Sequence, residues 1–239
     1  DEVDIIMIAR GDLGIETPIW ELPARQKEIT SRMRRKFKPV IVATQMLDSM
    51  TRNPLPTRAE VSDVANAVYD LADAVMLSGE SAAGQFPVET VSMMRKILES
   101  TETDQEYHEV IKKETIGPEL SLVKSATDTA AQINAKAILV KTFSGKSALD
   151  LAYFRPNQTI IAITNSELTA CQLSLVRGVV PFVIPNKSIE TVEEIFNLTI
   201  EVLKINSSLK KGDSVVCLHN EEVEFSGKTA VNNVTVKHL

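Results

Sequence analysis

The sequence has little cysteine and no excess of basic charge, and each shortage excludes a class of protein. Only two of its 239 residues are cysteine, Cys171 and Cys217, and no cysteine or histidine spacing is typical of a zinc site. Two thiols far apart in sequence indicate a reducing compartment, and we expect both to be buried packing residues. The net charge of −6 and a pI near 5.3 exclude nucleic acid as the main partner, because phosphate backbones attract basic surfaces.

Membrane and export signals are also lacking. No apolar run is long enough to cross a bilayer, and no basic segment followed by an apolar one opens the chain, so we expect no membrane partner and no secretory signal. The first apolar run begins almost at residue 1, which predicts that the chain is part of a longer protein. Its composition, 44% hydrophobic and 24% charged, is ordinary for a globular protein of one large domain or two modest ones.

Strand-like and helix-like segments alternate along the chain. Such alternation predicts an α/β fold with parallel strands and right-handed crossovers. We place a polar linker at residues 101–118, with a continuous helix over 107–113 as the alternative, between units at 1–100 and 119–239. The predicted strands lie at 5–9, 39–43, 74–77, 137–141, 159–164, 179–184, 214–218 and 234–237. The predicted helices lie at 19–36, 58–69, 88–100, 119–134, from 147 to 154, up to about 175, and at 189–205.

Polar residues follow each of the first three predicted strands. Because the carboxyl ends of parallel neighbours lie at one edge of a sheet, we expect these residues to converge. A carboxylate at Asp12, beside N–H groups made accessible by Gly11, is able to hold a hard cation and an anion together. The alternative is structural, with Asp12 capping a helix and Thr44 and Ser78 satisfying strand ends. The group consists of Arg10, Gly11, Asp12, Thr44, Gln45, Ser78 and Glu80.

Four segments around these residues resemble the corresponding segments of pyruvate kinases, in the family's order and at its spacing. They are I-A-R-G-D-L-G-I-E at 8–16, P-V-I-V-A-T-Q-M-L-D-S-M at 39–50, P-T-R-A-E-V-S-D-V-A-N-A-V at 56–68 and V-M-L-S-G-E at 75–80. In the third segment, a structural ion pair between Arg58 and Glu60 explains these two residues as well as function does. The resemblance covers essentially the whole chain. It implies a partial (β/α)8 barrel segment, units six to eight, at 1–100, followed by a regulatory α/β sheet domain at 119–239.

The resemblance also implies an activity and the residues that perform it. In that family, phosphate passes from phosphoenolpyruvate to ADP and the resulting enolate is protonated to pyruvate. Asp12 would bind Mg²⁺ or Mn²⁺, and the N–H groups of Gly11 and Asp12 would hold the substrate carboxylate. Thr44 would belong to a proton relay supported by Ser78 and Glu80. These roles suit phosphoryl transfer, which depends on positioning and charge neutralisation.

By the same resemblance, several of the family's functional groups precede Ile5. These are the catalytic lysine, a second metal-binding glutamate, the potassium ligands and most nucleotide contacts. We therefore expect the chain alone to have no kinase activity. Because three strands cannot close an eight-stranded barrel, we also expect exposed strand edges that favour self-association. Family members are commonly homotetramers.

A second polar segment, T-F-S-G-K-S at 142–147, follows a predicted strand and opens a helix. Hydroxyls, a glycine, a lysine and N–H groups at a helix N-terminus are able to bind an anion. A nucleotide P-loop is excluded on spacing, because Val140 stands where its first glycine is required; Glu222 excludes the later G-K-T at 227–229 in the same way. A serine-capped helix without a ligand is the alternative.

The resemblance to pyruvate kinases implies that this segment binds a phosphate of a sugar-phosphate activator, often fructose 1,6-bisphosphate. Phe143 stands where some activated members carry a basic residue. Glu221, Glu222 and Glu224 make the later loop acidic, so a sugar monophosphate is an alternative effector. The implied effector contacts are Thr142, Ser144, Gly145, Lys146, Ser147 and, in the later loop, Gly227.

The sequence therefore predicts the C-terminal part of a cytoplasmic, glycolytic pyruvate kinase that requires Mg²⁺ and K⁺ and is regulated by a phosphorylated sugar. One alternative is a stand-alone, non-catalytic sugar-phosphate-binding module, whose gene would encode no preceding half-barrel. A second alternative is a metal-dependent barrel lyase that uses Asp12, which leaves the segment at 142–147 unexplained.

Overall fold

The computed structural model describes residues 3–104, 120–184, 191–206, 208–219 and 233–239. The chain divides into two compact units, residues 1–114 and 115–239. At the predicted linker, residues 101 and 102 still belong to a helix. The alternative helix at 107–113 and the predicted effector residue Gly227 lie outside the described residues.

The first unit contains a parallel three-stranded sheet in the order β1–β2–β3. Ala9 pairs with Ala43, and Ala43 pairs with Met76, so the three strands end level with one another. The strands are β1 (Ile6–Ala9), β2 (Val40–Ala43) and β3 (Ala74–Met76). The helices are α1 (Arg10–Glu16), α2 (Leu22–Arg34), α3 (Arg58–Tyr69), α4 (Gly79–Ala82) and α5 (Pro87–Glu102), with 3₁₀ turns at Ile19–Glu21 and Asp48–Thr51.

Local sequence explains the longer elements of this unit. The strand β2 reads V-I-V-A, and β-branched side chains favour an extended backbone. Prolines occupy the first turns of α2 and α5, where a missing N–H has no consequence. Helix α3 begins with a capping box in which the Thr57 hydroxyl accepts from the Glu60 N–H and the Glu60 carboxylate accepts from the Thr57 N–H. The core under the sheet includes the fully buried Met46, Leu47 and Met50.

The second unit contains a five-stranded sheet in the order β6–β5–β4–β7–β8. The first four are parallel, and β8 pairs antiparallel with β7. The strands are β4 (Ala137–Lys141), β5 (Thr159–Thr164), β6 (Val179–Val183), β7 (Ser214–His219) and β8 (Asn233–His238). The helices are α6 (Ser121–Gln132), α7 (Lys146–Tyr153), α8 (Glu167–Leu173) and α9 (Val192–Ile205).

The strand order reverses at β4. The chain adds β5 and β6 on one side of β4 and then returns to place β7 on the other side. All five residues of β4 are buried, as expected of a central parallel strand covered on both faces. In open parallel sheets, ligands bind outside the carboxyl ends of the strands at such a reversal point. The segment at 142–147 begins directly after β4.

The two cysteines differ in environment, which corrects the expectation that both are buried. Cys171 is exposed, and Cys217 is buried. Burial raises the pKa of the Cys217 thiol to about 12, although Lys237 and a hydrogen bond with Thr235 act in the opposite direction. Cys217 is therefore an inert packing residue. Within the described residues, no helix combines the length and apolar character needed to cross a membrane.

Candidate functional site

The first group of predicted residues lies where β1, β2 and β3 end. Gly11 follows β1 by two residues, Thr44 directly follows β2, and Ser78 and Glu80 follow β3. The Gly11 N–H donates a hydrogen bond of 2.9 Å to the Thr44 hydroxyl oxygen. A Cβ atom at Gly11 would lie 3.8 Å from that oxygen, so the site has room for a small side chain. The first two strand ends are thus in direct contact.

Arg10 maintains a strained backbone at the end of β2. Thr44 and Gln45 have φ values of 69° and 53°, in the left-handed region that costs an L-residue roughly 1–2 kcal/mol. The Arg10 guanidinium donates to the carbonyls of Ala43, Thr44 and Gln45 at 2.7–3.3 Å. These bonds satisfy the carbonyls of Thr44 and Gln45, which lie beyond the end of β2, together with that of Ala43, the last residue of the strand.

Asp63 on α3 neutralises this buried guanidinium. Its two carboxylate oxygens accept hydrogen bonds of 2.8 and 2.6 Å from Arg10 Nη1. The Arg10 side chain is 8% exposed and the Asp63 side chain 36% exposed. Arg10 has no assigned role in the site predicted from sequence, and Asp63 is missing from it. The sequence feature that indicates an acidic partner is the position of Arg10 directly after a buried strand, since a buried guanidinium requires a counter-charge.

Glu80 holds the other end of the loop that follows β2. Its side chain is 2% exposed, and its carboxylate accepts from the Leu47 N–H at 3.2 Å and from the Ser78 N–H at 2.7 Å. The Ser78 hydroxyl oxygen is buried and has no hydrogen-bond partner among the described residues. The loop from Thr44 to Leu47 is therefore held by Arg10 at one end and Glu80 at the other.

Asp12 is exposed on α1. Among the described residues, no group of three or more histidine, cysteine or acidic side chains is placed to hold a metal ion. The donor set still fits Mg²⁺ in part, since this ion commonly uses only one or two protein carboxylates and completes its shell with substrate oxygens and water. Asp12 could supply one of those carboxylates.

The ion pair suggested between Arg58 and Glu60 is wrong. The Glu60 carboxylate instead accepts hydrogen bonds from the N–H and hydroxyl groups of Ser49 and Thr57, at 2.6–2.8 Å. Burial alone would raise the pKa of Glu60, but these bonds to its charged form outweigh burial and lower the pKa. Glu60 therefore joins the start of α3 to the 3₁₀ turn at Asp48–Thr51.

The second group lies in the loop at 142–147, between β4 and α7. Gly145 has a φ of 83°, in the left-handed region that glycine adopts without strain. The Gly145 N–H donates to the Thr142 hydroxyl at 3.0 Å, and the Thr169 hydroxyl donates to the Phe143 carbonyl at 2.9 Å. The backbone of this loop is thus held within the loop itself and by α8.

Several donors of the 142–147 loop have no partner among the described residues. These are the N–H and hydroxyl groups of Ser144 and Ser147. Lys146 forms an ion pair of 2.7 Å with Asp150, four residues further along α7. The Phe143 side chain is 44% exposed. Donors at a helix N-terminus with this composition are suited to binding an anion.

Comparison with known proteins identifies both units. Residues 1–91 match the family model described as pyruvate kinase, barrel domain, and residues 121–235 match pyruvate kinase, alpha/beta domain. The chain belongs to the pyruvate kinase family. The α/β fold class, with a barrel segment followed by an α/β sheet domain, is therefore confirmed.

Pyruvate kinases from several organisms are similar to the chain along its length. The pyruvate kinase of Staphylococcus haemolyticus is 45% identical over 240 residues, and that of Staphylococcus aureus strain USA300 is 42% identical; each match covers 99% of this chain and 40% of the relative. A crystal structure of a pyruvate kinase from Cryptosporidium parvum matches with a TM-score of 0.85 and 35% identity, over 99% of this chain and 47% of the other. The chain thus spans less than half the length of these pyruvate kinases.

Proposed function

We propose that the chain is the C-terminal part of a glycolytic pyruvate kinase, which transfers phosphate from phosphoenolpyruvate to ADP and yields pyruvate and ATP. The observation that carries the proposal is the contact between strand ends in the first unit, where the Gly11 N–H binds the Thr44 hydroxyl at 2.9 Å. Membership of the family supports it for both units. We also propose that the longer protein is cytoplasmic and homotetrameric.

Asp12 is the residue that would hold the divalent cation. When bound, Mg²⁺ or Mn²⁺ neutralises phosphoryl charge and stabilises an enolate oxygen. The exposed carboxylate of Asp12 suits this role, because an ion that also binds substrate must lie in an open position. The remaining protein ligands, the catalytic lysine and the K⁺ site would come from the rest of the longer protein.

Thr44 would exchange one partner for another when substrate binds. The Gly11 N–H now donates to Thr44, whereas a substrate carboxylate is a stronger acceptor than a hydroxyl. If the Gly11 N–H donated to the substrate carboxylate instead, the Thr44 hydroxyl oxygen would become available for a proton relay. We propose that the buried Ser78 hydroxyl extends such a relay, and that Glu80 positions Ser78 and Leu47 through the hydrogen bonds that it accepts from their N–H groups.

The test is steady-state kinetics of the full-length gene product with phosphoenolpyruvate and ADP. Thr44→Val should lower kcat by about 10²-fold or more, the range for a proton-transfer group, while Thr44→Ser keeps the hydroxyl and most of the activity. Pyruvate formation unchanged in Thr44→Val would contradict the proposed role. The 239-residue chain alone should show no turnover in a coupled assay.

We further propose that the 142–147 loop binds a phosphate of a sugar-phosphate effector. Four observations support it: the left-handed Gly145, the Thr142–Gly145 hydrogen bond, the unpartnered donors of Ser144 and Ser147 among the described residues, and the position of the loop at the strand-order reversal. Gly227 would contribute from the later loop. With Phe143 where some relatives carry a basic residue, a monophosphate is the alternative to a bisphosphate.

Thermal denaturation with a series of sugar phosphates tests this site. An effector at a hundredfold excess over its Kd should stabilise the binding unit by about 2.7 kcal/mol. The shift should be smaller in Lys146→Ala than in the wild type. If no sugar phosphate shifts the melting temperature of either protein, the effector site is refuted. Binding without any kinase activity in the full-length gene product would favour the non-catalytic regulatory module.

A further inference from the structure

Within the 142–147 loop, the charge of Lys146 is already engaged by an acid on the same helix. The Lys146 ammonium lies 3.0 and 2.7 Å from the two carboxylate oxygens of Asp150. The Asp150 side chain is only 11% exposed, whereas the Lys146 side chain is 72% exposed. The acid is thus fixed by its surroundings, and the lysine is the partner able to move.

This ion pair draws the lysine away from the donors of the loop. Lys146 is the first residue of α7, and helical side chains lean towards the N-terminus of their helix. A lysine at this position would therefore reach towards the N–H groups of Ser144 and Ser147. Pairing with a residue one turn later directs its ammonium the opposite way, by about 5 Å along the helix axis.

Helix stability does not explain the pair. A lysine in the first turn and an acid after it both oppose the helix dipole, which favours acids at the N-terminus and bases at the C-terminus. The order lysine then acid is also the weaker arrangement of an i,i+4 pair. Asp150 is buried in spite of its charge. Its partner, Lys146, belongs to the loop that we propose as an anion site.

We propose that Asp150 sets the anion affinity of the 142–147 loop by competing with bound phosphate for Lys146. The proposal rests on the effector site described above and adds a residue that regulates it. With anion absent, Lys146 pairs with Asp150. When phosphate binds at the Ser144 and Ser147 N–H groups, the ammonium exchanges the Asp150 carboxylate for the phosphate oxygens, and the lost ion pair weakens binding.

Calorimetric titration of the full 239-residue chain with inorganic phosphate tests the competition. Asp150→Asn should lower the Kd for phosphate by about two- to fivefold, the effect of releasing one ion pair whose lysine is exposed. Lys146→Met should raise the Kd. Because removal of Asp150 also removes simple repulsion of phosphate, the decisive sample is the double variant. Competition requires that Asp150→Asn change the Kd less when it is added to Lys146→Met than when it is added to the wild type, whereas equal effects would overturn the proposal.

A second readout uses the wild-type protein and does not depend on the folding of a variant. During phosphate titration, the ¹³C resonance of the Asp150 carboxyl group should shift with the same Kd as the amide resonance of Ser147. A Ser147 shift without an Asp150 shift would refute competition and leave the effector site standing. If phosphate moves neither resonance and no variant binds it, both the competition and the effector site are refuted.

Discussion

Arg10 binds three consecutive carbonyls and one carboxylate, and these contacts maintain a backbone that Thr44 and Gln45 would otherwise avoid. The convergence of residue types at the strand ends was predictable, because parallel strands end at one edge. The specific partners were not. That the Gly11 N–H would bind Thr44, and that Asp63 would neutralise Arg10, depends on loop and helix positions that local sequence does not encode.

Removal of the Asp63 charge should destabilise the first unit. In Asp63→Asn, the buried guanidinium loses its counter-charge, and we expect the free energy of unfolding to fall by about 1–2 kcal/mol, near the lower end for hydrogen bonds to charged groups because Asp63 is 36% exposed. Urea denaturation followed by circular dichroism measures the change. Glu16→Gln, an exposed acid without a partner among the described residues, is the control and should lie within about 0.5 kcal/mol of wild type. Equal stability of the two variants would show that the pair contributes nothing.

At the level of elements, predicted and observed bounds agree where periodicity or capping is strong. Helix α3 and strands β4 and β5 have the predicted limits. Three short elements, α1, the turn at Asp48–Thr51 and α4, were missed. Each follows a strand end or lies in a loop, and tertiary contacts such as the Glu80 and Glu60 hydrogen bonds hold two of them. Propensity summed over four to seven residues is too weak to predict such elements.

Glu60 should make the stability of α3 dependent on pH. Its folded-state pKa lies below the ordinary 4.5, so the carboxylate stabilises the fold above that pH, and the contribution is lost as the pH falls through the lowered pKa. Glu60→Gln should therefore reduce the free energy of unfolding by about 1 kcal/mol at neutral pH and by progressively less under acid conditions. Urea titrations across this range measure the difference. Glu89→Gln, which removes another acid from a first helical turn, is the control for a general loss of carboxylate charge.

Two glycines should respond oppositely to the same substitution. A Cβ at Gly84, after α4, would lie 2.4 Å from the Glu80 carbonyl oxygen, whereas a Cβ at Gly14 within α1 would meet nothing within 4 Å. Gly84→Ala should destabilise by about 1–3 kcal/mol through overlap with backbone. Gly14→Ala should stabilise by up to about 1 kcal/mol through helix propensity. Both substitutions restrict the unfolded chain equally, so a difference in the free energy of unfolding, measured by urea denaturation, reports on the two folded sites. Equal changes in that free energy would contradict the Cβ contacts described for Gly84 and Gly14.

At the level of the molecule, the two units differ in how many of their proposed functional groups they contain. The family match covers both units, but the chain spans 40% of its curated relatives. The 142–147 loop includes most of the proposed effector contacts. By contrast, Asp12 supplies one carboxylate of the proposed metal site. Sequence alone predicted this asymmetry, since it follows from which segments of the family are present.

The first sheet should drive association between copies of the chain. Within the described residues, β1 and β3 each pair on one side only, and Met7 on β1 is 52% exposed. Nearby in sequence, Ile15, Ile19 and Trp20 are 85%, 72% and 80% exposed. Unpaired strand edges and clustered apolar side chains both favour association. We therefore expect the molar mass from light scattering to rise with protein concentration through the micromolar range.

Substitution of the exposed Trp20 distinguishes association through the Ile15–Trp20 stretch from association through any exposed apolar side chain. Trp20→Lys should lower the molar mass at a given concentration, because a lysine is too strongly hydrated to enter an apolar contact. Val88→Lys, which changes a 72% exposed residue on α5 outside the Ile15–Trp20 stretch, should leave it unchanged. Amide hydrogen exchange adds the second criterion, since edge strands should be protected only in the associated form. A monomeric mass at every concentration, with β1 and β3 already protected, would show that the first unit closes its own sheet.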